Sequence, residues 1–155
     1  MKKSNWKVLI VCLVVVYLTA FIGSLFTSQN TNSDWYESIK PKLTPPNWVF
    51  PIVWNVLFFL IAMSLYFAWV SGKKTNKKDI VWVFAVNFGL NILWSIFYFG
   101  LRNPAASLVV LVLLWVSILL MIHITYGINK KSAYLLLPYL FWVSFAGVLN
   151  YLSVL

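Results

Sequence analysis

Long apolar runs broken by short polar ones dominate the pattern along this chain. A helix that crosses a bilayer needs about 20 mostly apolar residues at roughly 1.5 Å each. Five blocks meet that length: 8–26, 48–70, 80–101, 104–126 and 133–155, none of which contains Asp, Glu, Lys or Arg. The pattern predicts an all-α membrane protein, a single integral membrane domain built as a bundle of five transmembrane helices. The first block exceeds the apolar core of a signal peptide and no Ala-x-Ala pattern closes it, so it reads as a span.

Composition agrees with this solvent. Hydrophobic residues make up 62% of the 155 residues and charged ones 10%, against about 45–50% and about 25% in soluble domains. The net charge of +9 would suggest nucleic acid in a soluble protein, but here the basic residues sit in short loops between spans, where topology and anionic head groups explain them; no nucleic-acid partner is expected. Lys2, Lys3, Lys7, Lys73, Lys74, Lys77, Lys78, Lys130 and Lys131 fall on one side, and Lys40, Lys42 and Arg102 on the other. The bias predicts a cytoplasmic N-terminus and an outside C-terminus, in a plasma membrane.

The longest connection, 27–47, carries Asp34, Trp35, Tyr36, Glu37, Lys40 and Lys42, and its part between Pro41 and Pro46 cannot be regular helix. It is either an interfacial linker or a lid on the outer end of the bundle. Of nine Trp residues, Trp6, Trp48, Trp69 and Trp82 stand near span ends as interfacial anchors, while Trp54, Trp94, Trp115 and Trp142 lie deeper, where an indole N–H wants a partner. Phe50, Trp54 and Phe58 share one face of the second span, and Trp142, Ala146 and Leu149 one face of the fifth. Those faces fit one slot. Asn87 and Asn91 share a stripe with Trp94 on the third span; their amides serve either as glue between helices or as ligand contacts. On the opposite side of that span, Ala85 and Gly89 offer a small-xxx-small face suited to a homodimer.

Conventional catalytic machinery is absent from the pattern. The acids Asp34, Glu37 and Asp79 lie outside the spans, His123 is close to the end of the fourth, and Cys12 is the single cysteine. No metal cluster, acid–base pair or phosphate loop can be assembled from these, and an ion-coupled pump would keep a charge within the membrane.

Four strings carry a family resemblance: WYESIKP from Trp35, PPNWVFPIVWNVLF from Pro45, NILWSIFYFG from Asn91 and PYLFWVSFAGVLNY from Pro138. In this order, with five spans, the chain resembles the translocator protein or tryptophan-rich sensory protein family, also called peripheral-type benzodiazepine receptors. The resemblance implies a pocket capped by the loop between the first two spans. Its ligands would be protoporphyrin-type tetrapyrroles and isoquinoline carboxamide or benzodiazepine-like drugs. The residues it marks are Tyr36, Pro45, Phe50, Trp54, Phe58, Asn87, Trp142, Ala146 and Leu149. It implies a receptor needing no cofactor, with porphyrin as ligand; alternatively an enzyme for light- and oxygen-dependent porphyrin breakdown using Trp54 and Trp142; or a transporter of lipid or tetrapyrrole. Animal members end in an aliphatic-Tyr-basic cholesterol pattern, whereas Ser153, Val154 and Leu155 follow Tyr151 here. Cholesterol is therefore not expected as a dedicated ligand, and the chain fits a bacterial member.

Overall fold

The computed structural model describes residues 5–155; Lys2 and Lys3 lie outside the described residues. Among the described residues, five helices long and apolar enough to cross a membrane account for most of the chain. Helix α1 (Trp6–Thr27) leads through a short helix α2 (Asp34–Ile39) to α3 (Val49–Ser71); then follow α4 (Lys77–Ser95), α5 (Pro104–Ile128), α6 (Lys130–Leu135) and α7 (Leu137–Leu152). The last two form one span interrupted at Leu136, just before Pro138, whose ring cannot continue the hydrogen-bond ladder. The fifth span thus begins at Lys130 rather than 133, and the third extends back through the turn Lys74–Asn76.

Local chemistry sets these ends. Asn103 Oδ1 accepts from the Ala106 N–H (3.0 Å) ahead of Pro104 at the first position of α5, the arrangement that satisfies a free helix donor. Asn129 caps α6 with Oδ1 and donates Nδ2 to Ser71 Oγ (2.7 Å), tying the two lysine-rich turns together. Within the connection read as loop, Ser33 Oγ accepts from the Tyr36 N–H (3.2 Å), and Asp34 and Glu37 occupy the positive end of α2. That cap, three residues before Tyr36, was the legible sign of the helix.

Around the bundle the helices run α1, α3, α6 with α7, α5, α4 and back to α1. Val16, Ile61, Ile80, Phe84, Ile118, Met121, Leu136 and Val143 fill the centre with essentially no exposure. Outward, large apolar side chains such as Val11, Phe21, Val109, Val112 and Phe141 are exposed, a surface only a bilayer would cover. Ala85 and Gly89 face outward too, and a Cβ on Gly89 would meet nothing within 4 Å.

Polar side chains inside are paired across helices. Ser64 Oγ donates to the Ser132 carbonyl (2.9 Å) and Ser132 Oγ to the Ser64 carbonyl (2.7 Å), both residues fully buried. Asn91 Nδ2 donates to the Tyr139 hydroxyl (3.1 Å), which donates to Asn87 Oδ1 (3.1 Å), and Asn87 Nδ2 donates to Ser117 Oγ (2.9 Å). With no water at that depth, each such pair removes a cost that an orphaned group would carry.

Candidate ligand site

Toward the end that carries the lid, the helices enclose a cavity of about 360 Å3. Its aromatic walls come from three places. From α3, Phe50, Trp54 and Phe58 face inward, with Trp54 stacked on Phe58 at 5.4 Å. From α7 come Trp142, Ala146 and Leu149, and Phe50 meets Trp142 edge-to-face at 5.8 Å. From α4 and beyond come Trp94, Tyr98 and Phe99, with Trp94 stacked on Tyr98 at 5.2 Å.

Tyr98 and Phe99 owe their position to a widened turn. Residues Ile96–Gly100 leave the α-helical ladder for π-helical spacing, and the Leu101 N–H reaches the Ile96 carbonyl (2.7 Å). Such turns rotate side chains off the helical stripe and are frequent at functional sites. Opposite, Ala20, Gly23, Ser24 and Thr27 present a smooth small-residue face of α1; a Cβ on Gly23 would stand 3.5 Å from Ser95 Oγ, so α1 and α4 approach closely there.

The lid closes over this space. Tyr36 is buried against Tyr98 (6.5 Å) and Phe99 (5.6 Å), and Trp35 sits edge-on to Tyr98 at 5.9 Å. Arg102, whose φ of 51° places it in the left-handed region, lies over the Trp35 ring at 5.8 Å and donates to Asn30 Oδ1 (3.4 Å). Burial, then the neighbouring Tyr98 and Glu37, push the Tyr36 phenol up to about 12 from its ordinary 10.0. A raised phenol favours the neutral form, so the docked lid keeps its full contribution below the ordinary pKa and loses it as pH rises through about 12.

Seven of the nine residues marked by sequence meet at one cavity: Tyr36, Phe50, Trp54, Phe58, Trp142, Ala146 and Leu149. Two stand elsewhere. Pro45 is in the lid, but Pro41, Thr44 and Asn47 supply the lining there. Asn87 is fully buried one turn before Asn91 on α4, its amide consumed by Ser117 and Tyr139, and Asn91 takes the place at the wall. Asn150, not singled out by spacing, is a junction: its Oδ1 accepts from Trp94 Nε1 and Ser107 Oγ (both 3.0 Å), and its Nδ2 donates to the Pro104 carbonyl (2.8 Å).

Two buried side-chain polar atoms among the described residues have no partner, Thr44 Oγ1 and Trp142 Nε1, and both belong to residues of the cavity wall. A buried donor without an acceptor costs about 1–3 kcal/mol. Trp115, by contrast, donates Nε1 to Ser144 Oγ (2.8 Å) and is away from the cavity.

The fold and cavity define an integral membrane protein with an aromatic, lid-covered cavity between its spans. Residues 10–155 match the TspO/MBR family, and the chain belongs to that family. It is 42% identical over 144 residues to the "Tryptophan-rich protein TspO" of Archaeoglobus fulgidus, covering 92% of each chain. It is also 31% identical over 137 residues to the human "Translocator protein", covering 86% of this chain and 80% of that one. A "Tryptophan-rich sensory protein" of Cereibacter sphaeroides is 28% identical over 148 residues, covering 95% and 89% respectively.

Proposed function

We propose that this protein is a membrane receptor or sensory protein that binds porphyrins of the protoporphyrin type, and isoquinoline carboxamide or benzodiazepine-like drugs, in the cavity beneath the lid. The observation that carries this reading is the pairing of broad aromatic faces with two unpartnered polar atoms, Thr44 Oγ1 and Trp142 Nε1. Flat conjugated rings bury area and stack on the former, while a peripheral oxygen relieves the latter. No cofactor is required for binding. The lysine turns held together by Asn129 and Ser71 face the cytoplasm in this reading, with the lid outside in a bacterial plasma membrane.

Titration of the purified protein in lipid nanodiscs with protoporphyrin, in the dark, tests the assignment. Saturable quenching of tryptophan fluorescence is expected; an unsaturable, lipid-like partition would overturn it. Trp54 and Trp142 both line the cavity, which favours one second reading, photo-oxidative porphyrin breakdown. Illumination of the same samples separates the two, because breakdown requires light-dependent loss of porphyrin absorbance that the double Trp54→Phe, Trp142→Phe protein lacks.

A further inference from the structure

A second hollow, of about 530 Å3, lies on the bilayer-facing side of the α3–α7 seam. Val53 and Val56 line it from α3, and Pro138, Phe141 and Phe145 from α7, Phe141 being 71% exposed. Trp142 completes the wall and is the one residue, among those described, that lines both this groove and the inner cavity. The indole is the side chain that the two spaces share.

The seam is open there for an identifiable reason. At its lysine-rich end α3 packs closely on α6, fastened by the reciprocal Ser64 and Ser132 bonds. Leu136 and Pro138 then interrupt the fifth span, and α7 touches α3 only sparsely. Close packing thus gives way to sparse contact along the seam, with the cavity lined from one side of α3 and α7 and the groove from the other. We propose that this seam is a lateral portal through which a flat apolar ligand dissolved in the bilayer reaches the cavity, with Trp142 as its shutter. The proposal rests on the ligand reading given above.

The energetics favour this route over the lid. Moving Trp142 breaks no hydrogen bond, because its N–H has no partner; what resists is apolar packing, against the core and in ring contacts with Phe50 (5.8 Å) and Phe145 (5.6 Å). Opening the lid would expose Tyr36 from its cluster and break the Asn47–Thr31 (3.3 Å) and Arg102–Asn30 bonds. The groove side chains offer no polar atom besides the indole nitrogen, so a charged periphery cannot lead through it.

Phe145 and Val56 line the groove and not the cavity, which allows path and site to be varied separately. Stopped-flow quenching by protoporphyrin in nanodiscs should show Phe145→Ala speeding both association and dissociation by about tenfold, and Val56→Phe slowing both, with the equilibrium affinity nearly constant. Unchanged rates in both folded variants would overturn the portal while leaving the ligand assignment intact. Should the unaltered protein fail to bind protoporphyrin, the ligand assignment falls, and nanodiscs of lipids brominated in the acyl chains decide the portal. Quenching of the Trp142 emission, taken as the difference from Trp142→Phe and enhanced by Phe145→Ala, would support a shutter facing the bilayer; no quenching would refute it.

Discussion

The two halves of this bundle differ in whether every buried polar side chain finds a partner. In the half beside the lysine turns, Ser64 and Ser132 satisfy each other, and further in Asn87 is held by Ser117 and Tyr139. Beneath the lid, Trp142 and Thr44 remain unpaired at the edge of a cavity. Trp115 and Trp142 make the contrast within one residue type, since each is an indole well inside the membrane and only the former has an acceptor. A buried polar side chain whose partner is missing points to a site, whereas a bonded one can fasten helices wherever it stands, as Asn91 and Asn150 do at the cavity wall itself.

Ser64→Leu should show the largest effect. It removes the bond that Ser64 Oγ donates to the Ser132 carbonyl, leaves the one that Ser132 Oγ donates to the backbone carbonyl of residue 64, and forces three extra carbons into a fully buried contact, so stability in detergent should fall by about 3 kcal/mol, measured by thermal or denaturant unfolding. Retained stability would mean that the fastened half is looser than its bonds indicate. On the other side of the comparison, Ala146→Thr adds bulk to the cavity wall beside Trp142. Protoporphyrin or drug affinity should weaken by about 1–3 kcal/mol with little change in unfolding. Equal affinity in a folded variant would take Ala146 out of the site. The finest test sets the indoles against each other: Trp115→Phe loses a bond within the membrane and should cost about 0.6 kcal/mol of stability, whereas Trp142→Phe leaves no acceptor orphaned and should cost less. A reversed order would show that the unpaired N–H does have a partner in the bilayer.

Much of this was legible in the apolar pattern, because spans of this length have no other solution in lipid. The ends were harder to place. Lys77, Lys78 and Asp79 begin α4 although they are charged, since a helix continues past the hydrocarbon into the head-group region. The aromatic stripes on α3 and α7 could be read because four-residue spacing survives in unbroken helix. Tyr98 and Phe99 could not, as the π turn at Ile96–Gly100 shifts them off the 3.6-residue period. Ala20, Gly23, Ser24 and Thr27 follow that period faithfully, and a search for small as well as large residues would have found them. Asn87 and Asn91 share one stripe and both bond the Tyr139 hydroxyl, so only what other helices place at each height, Ser117 beside Asn87 and the cavity beside Asn91, distinguishes them.

The ring order also bears on how the protein is made. As the chain emerges, α1 can pair with α3 and α4 with α5, both between neighbouring spans. The fifth span packs between α3 and α5, and its bond from Ser132 reaches back 68 residues to Ser64. Contacts of such long separation form late. A nascent chain stopped after Ile128 therefore holds two helical hairpins around an empty slot, and the cavity gains its Trp142 wall only when the final span leaves the ribosome and inserts.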